Sequence, residues 1–186
     1  MKLLRNSVYP LNSFKMVICN ILFCIVNLAG IVFAVLSLVT NDWFILLPFS
    51  IDIDIRTYCG LWSCCTTVYN FTADQVNISY SKSSVTLLTK VTMVVGCITY
   101  VFAFALIMLN YLNKVRNNKL SGYMLLTTAI CLTTGIIVLT RDIFRNEPPG
   151  FAGYSASYFE GGIAGGISIT SAILQFFRTK SEYEPF

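Results

Sequence analysis

Trp43-Phe44-Ile45-Leu46, an acidic stretch carrying Asp52 and Asp54, and then Tyr58-Cys59-Gly60-Leu61-Trp62-Ser63-Cys64-Cys65 form the passage that decides how the rest of the chain is read. One long apolar run precedes it and three more follow. Aromatic and cysteine-rich sequence between apolar runs reads as a loop at a membrane surface, where tryptophan sits well at the headgroup level. Such a loop suits recognition better than catalysis.

Working outward, the composition agrees. Of 186 residues, 55% are hydrophobic and 12% charged, with a mean hydropathy of +0.68. An ordinary soluble domain carries about 25% charged residues, so the deficit indicates an integral membrane protein. The chain has no histidine. That excludes Ser-His-Asp and Cys-His catalysis, HExxH zinc chemistry and histidine-based pH switching. With no Walker loop and no GxGxxG after a strand, neither a nucleotide cofactor nor a metal is expected, and the chain is read as non-enzymatic. The net charge of +4 comes from basic residues beside the apolar runs, where topology explains them, so no nucleic-acid partner is expected. Of the seven cysteines, Cys19, Cys24, Cys97 and Cys131 lie inside apolar runs and behave as small hydrophobes. Cys59, Cys64 and Cys65 share the polar loop, where an extracellular setting favours a disulfide.

In chain order, residues 1–15 are polar and basic, and Pro10 is expected to break any helix there. The first span, 16–39, is long enough to cross a hydrocarbon core of about 30 Å and too long for a signal-peptide apolar region. The large loop, 40–88, contains Ile51-Asp52-Ile53-Asp54-Ile55, alternating with a strand's period of two. Asp52 and Asp54 then form an exposed acidic strand face. Two sequons follow, at Asn70 and Asn77. The second span covers 89–112, a basic turn 113–119, the third span 120–140, a second loop 141–155, the fourth span 156–177 and a tail 178–186. Four spans put both termini on one side. The cytoplasmic assignment gives that side eight basic residues, Lys2, Arg5, Lys15, Lys114, Arg116, Lys119, Arg178 and Lys180, against Glu182 and Glu184. The positive-inside rule selects it.

In lipid, helices associate through small residues and interhelical hydrogen bonds. The fourth run offers two overlapping frames, Gly161/Gly165 and Gly162/Gly166, expected to pack within the bundle rather than against another subunit. Asn20 and Asn27 in the first run are expected to make interhelical contacts rather than a transport site.

Gly60-Leu61-Trp62-x-x-Cys65, with Trp43 shortly after the first span, resembles the claudin superfamily. That group comprises claudins, peripheral myelin and epithelial membrane proteins, and calcium-channel gamma and glutamate-receptor auxiliary subunits. Tyr154-Ser155-Ala156-Ser157-Tyr158-Phe159-x-Gly161 is similar to the stretch these proteins carry at the start of the fourth span. The resemblance covers nearly the whole chain. It implies an all-α membrane protein, a four-transmembrane-helix bundle bearing a small extracellular antiparallel β-sheet built mainly from the first loop, with a strand from the second. Trp43, Gly60, Leu61 and Trp62 would anchor that sheet on the bundle. The family's usual second loop cysteine, several residues after the first, is absent, and Cys59 is extra. The expected disulfide therefore joins Cys59 to Cys64 or to Cys65. The doubled Cys64-Cys65 is similar to the auxiliary-subunit branch, and the tryptophan usual in the fourth-span motif of claudins proper is missing near Gly162.

The resemblance implies action through the first extracellular loop in cell–cell contact, paracellular barrier or membrane organisation. Its partners would be other membrane proteins in cis or in trans, as homo- or hetero-oligomers. Alternatives are an auxiliary subunit of an ion channel or receptor, and a vesicle or lysosomal component. The tail supports three readings: a tyrosine sorting signal at Tyr183-x-x-Phe186 for an adaptor, a PDZ ligand with Glu184 and the terminal carboxylate of Phe186, or a solvated end. The expected location is the plasma membrane, multi-pass, including cell–cell contacts or endolysosomal vesicles.

Overall fold

A computed structural model describes residues 9–40, 42–47, 53–70, 75–82, 85–112, 118–146 and 151–183. Four long helices, α1 (Tyr9–Val39), α2 (Leu87–Tyr111), α3 (Asn118–Asn146) and α4 (Ala156–Tyr183), form a bundle. Within it, α3 packs closely on α2 and α4, α4 packs on α1, and the α1–α2 contact is the lightest. Five strands cap one end: β1 (Phe44–Leu46), β2 (Ile53–Cys59), β3 (Ser63–Asn70), β4 (Gln75–Lys82) and β5 (Phe151–Tyr154). They form one antiparallel sheet in the order β4-β3-β2-β1-β5. The large loop thus supplies four strands and the second loop the fifth. β5 pairs with β1 through a bulge at Ile45/Leu46, opposite Gly153, whose φ of +153° suits glycine.

Helix ends depart from the sequence boundaries for identifiable reasons. α1 begins at Tyr9, so Pro10 lies in its first turn, where the missing N–H would have had no intrahelical partner. The expectation that Pro10 breaks any helix is corrected on that ground. α3 runs past Arg141 to Asn146, because its buried stripe of Leu125, Leu132 and Leu139 continues at Ile143. The charge at Arg141 ends the apolar run, yet it does not end the helix. α4 extends to Tyr183, well into the segment read as the tail. Ile51, Asp52, the basic residues of 113–117 and Pro148-Pro149-Gly150 lie outside the described residues, as do Lys2 and Arg5.

Among the described residues, three helices are long and apolar enough to cross a membrane: Ile18–Val39, Leu87–Tyr111 and Lys119–Arg145. α4 is long enough, about 42 Å at 1.5 Å per residue, but its apolarity is diluted by the side it turns inward. Ser157, Ser168, Ser171 and Gln175 are all buried there, beside Ala164 and Ala172. Large apolar side chains such as Leu22, Ile25, Phe102, Ile137 and Phe177 are exposed around the bundle, as expected for helices solvated by lipid.

Polar contacts tie each neighbouring pair of helices. Cys97 Sγ donates to Ala34 O (3.3 Å), Thr99 pairs with Thr128 (3.0 Å), and Thr140 pairs with Tyr158 (3.0 Å). Arg178 donates to Asn20, which links α4 to α1 as expected of Asn20. Asn27 differs. It is fully buried, but its amide donates to Phe23 O of its own helix at 2.8 Å, so its described hydrogen bond is local rather than interhelical.

Candidate functional site: the sheet and its clasp on the bundle

An α-helix ends with four carbonyls that lack intrahelical partners. At the end of α1 three of these find partners. Leu36 O accepts from the Thr40 backbone N–H (3.0 Å) and hydroxyl (2.7 Å). Ser37 O accepts from the Trp43 indole N–H at 2.6 Å, and Leu38 O from the Trp62 indole N–H at 2.7 Å. The two tryptophans are therefore C-caps of the first helix. Trp43 is completely buried, whereas Trp62 is 46% exposed, with the Lys90 ammonium 5.9 Å from its ring centroid, within cation–π range.

Residue 43 is also a backbone node. Its N–H donates to Cys59 O (2.9 Å), and its carbonyl accepts from Ser155 N–H (3.0 Å). Ser157 N–H donates to Asp42 O (3.0 Å), and the Thr40 and Ser157 hydroxyls are hydrogen-bonded. Tyr158 meets the Trp43 ring edge-on at 6.3 Å and stacks on Tyr154 at 4.1 Å. Burial pushes the Tyr154 phenol above its ordinary value. The start of α4 is thus bound to the end of α1 through the very residues that begin the sheet.

The β2–β3 hairpin closes through Gly60 N–H to Ser63 O at 2.9 Å, and Leu61 within its connection is fully buried. Cys59 and Cys64 face each other across the ladder and form a disulfide, while Cys65 is a free thiol. Because side chains alternate along a strand, Phe44, Cys59 and Cys64 share the inner face, where they join the core. Tyr58 and Cys65 stand on the outer face. There, Arg56, Thr67 and Ile78 make one row across three strands, with Arg56 and Ile78 exposed. Among the described residues no group of three or more His, Cys, Asp or Glu is placed to hold a metal.

The family model for the PMP-22/EMP/MP20/Claudin family matches residues 16–175. The chain belongs to this family. A search of curated proteins gave no match. Membership makes α4 the fourth span of a four-span membrane protein, although its apolarity alone would not. The claudin-like signature residues Trp43, Gly60, Leu61 and Trp62 converge on the seam between α1 and the sheet. Cys65, also in the signature, lies one residue beyond the disulfide, on the other face.

The two glycine frames of α4 separate in this family member. A Cβ on Gly161 would reach ordinary contact with Ile136, Met93 and Ser37 (3.5 Å), and one on Gly165 would reach Thr133 (3.4 Å). Gly162 and Gly166 have open space and face away from the bundle. Residues four apart repeat a helix face while adjacent ones stand about 100° apart, so the Gly162/Gly166 frame does not pack within the bundle as expected. The tight approaches lie elsewhere. A Cβ on Gly30 would overlap Tyr100 Oη, one on Gly96 would sit 2.7 Å from Leu132 Cδ2, and one on Gly135 would sit 2.8 Å from Met93 Sδ. Sequence reading missed all three, because a lone glycine in an apolar run gives no periodic signal.

Asn70 ends β3 and Asn77 lies within β4. Tyr183 closes α4, whereas Glu184 and Phe186 lie outside the described residues. Thr40, Asp42, Ser155, Ser157 and Tyr158 complete the clasp. The last three fall in the aromatic-and-small stretch that carried the resemblance, but nothing in the sequence tied them to Trp43.

Proposed function

We propose that this claudin-family protein presents its sheet on the extracellular side and acts through it in cell–cell contact, as an adhesive or barrier-forming membrane protein. One observation carries the reading. The sheet is fixed to the bundle by two indole caps, a cross-strand disulfide and the β1–β5 pairing. A recognition surface held in this way loses little conformational freedom on binding. Orientation follows from the distribution of basic residues, and Asn70 and Asn77 then face a glycosylation-competent compartment. Partners are membrane proteins of the apposed or the same cell, a second copy included.

The test uses protein tagged at its N-terminus, leaving Phe186 free, in non-adherent cells that lack claudins. Expressing and non-expressing cells are mixed, and the label is followed at each kind of border. Enrichment is expected only where two expressing cells meet. Uniform label would transfer the function to an auxiliary subunit of a channel or receptor, and vesicular label to a sorted component using Tyr183 and Phe186.

A further inference from the structure

β3 carries its residue types in pairs: Cys64-Cys65, Thr66-Thr67, then Val68-Tyr69. A one-residue slip of a strand turns its side chains to the opposite face, and hydrophobic patterning is what normally forbids it. Here the pattern forbids little. In the structure Cys59 faces Cys64, Thr57 faces Thr66 and Ile55 faces Val68, and the two threonine hydroxyls are hydrogen-bonded at 2.9 Å. Slipped by one, Cys59 would face Cys65, Thr57 would face Thr67 and Ile55 would face Tyr69. A cysteine pair, a threonine pair and an apolar pair are all retained. The connection lengthens from three residues, 60–62, to four, 60–63, and both lengths are ordinary for hairpins. Leu61 and Trp62 remain in the connection in either register, so the segment that caps α1 stays tethered to β2.

We propose that the β2–β3 hairpin is a two-register element, closed by Cys59–Cys64 in one register and by Cys59–Cys65 in the other. The registers interconvert without net oxidation or reduction. When β3 lifts from β2, the Cys65 thiolate attacks Cys59 Sγ. The Cys59–Cys65 bond forms as Cys59–Cys64 breaks, and Cys64 leaves as a thiolate that takes up the proton Cys65 gave up. The consequence falls on the outer face. Cys65 and Thr67 occupy it in the observed register, whereas positions 64, 66, 68 and 70 occupy it in the other. One chain then offers two versions of its exposed sheet surface, whatever that surface binds.

The experiment traps the free thiols of the full-length protein with iodoacetamide in denaturing, non-reducing conditions. The disulfide is then reduced and its cysteines are marked with N-ethylmaleimide. Fragmentation between residues 64 and 65 of the peptide starting after Arg56 locates the first label. The expected result is first label on Cys65 in one population and on Cys64 in a second, in cells as grown or after exposure to a small thiol, which catalyses the exchange. First label on Cys65 alone, with and without that exposure, overturns the proposal. Cys64→Ser gives a second measure. Surface-delivered protein is expected to close Cys59–Cys65 and leave no alkylatable thiol in the hairpin, and a surface-delivered variant with both thiols labelled contradicts the two-register element.

Discussion

Trp43 and Trp62 do the same chemical job in different surroundings, and this difference sets what their loss costs. Each donates an indole N–H to one of the last carbonyls of α1. Trp43 is fully buried, so Trp43→Phe keeps most of the ring but strands the Ser37 carbonyl without water. An unsatisfied buried group costs about 1–3 kcal/mol. At half-exposed Trp62, water replaces the lost donor, and Trp62→Phe should cost less, about 0.5–1.5 kcal/mol, the net worth of one hydrogen bond. Thermal unfolding of the detergent-purified variants checks the order; a Trp62 substitution as costly as the Trp43 one would refute the capping account. That these residues anchor the loop was legible from the sequence. Which carbonyls they cap was not, because that depends on how the chain turns between α1 and β1. The choice between Cys64 and Cys65 was hidden for a related reason: it is set by strand register, and doubled residues leave register unmarked.

Among the elements, α4 shows how composition misleads. Its glycines drew notice because they repeat at a helical interval, yet Gly162 and Gly166 face away from the bundle, while the crowded glycines are the unremarked Gly30, Gly96 and Gly135. Gly30→Ala must push the buried Tyr100 phenol off α1, so a loss of about 1–3 kcal/mol is expected, as for overpacking in a tight core. Gly162→Ala meets nothing and removes backbone freedom in a helix, so it should be neutral or stabilising by up to about 1 kcal/mol. Unfolding in a common detergent compares the two, and equal losses would contradict the assigned helix faces. The apolar runs placed all four helices correctly. The helices reach beyond those runs: α3 continues through Ile143, and α1 begins at Tyr9.

At the scale of the molecule, a lipid-facing bundle carries a sheet whose inner face joins the core and whose outer face is open. If that sheet is extracellular, Asn70→Gln and Asn77→Gln should each remove one step of the mobility shift produced by an N-glycosidase. A single unshifted band for the unmodified protein would count against both the glycans and the orientation. The central claim, that the outer face of the sheet makes the cell contact, is tested most directly by the mixed-cell assay with Arg56→Glu/Ile78→Lys. This variant changes two exposed residues of one outer row, spares the clasp and keeps the Asn77 sequon. The account predicts that, at matched surface level, the enrichment at borders between two expressing cells is lost. Enrichment that persists unchanged at matched surface level would contradict it.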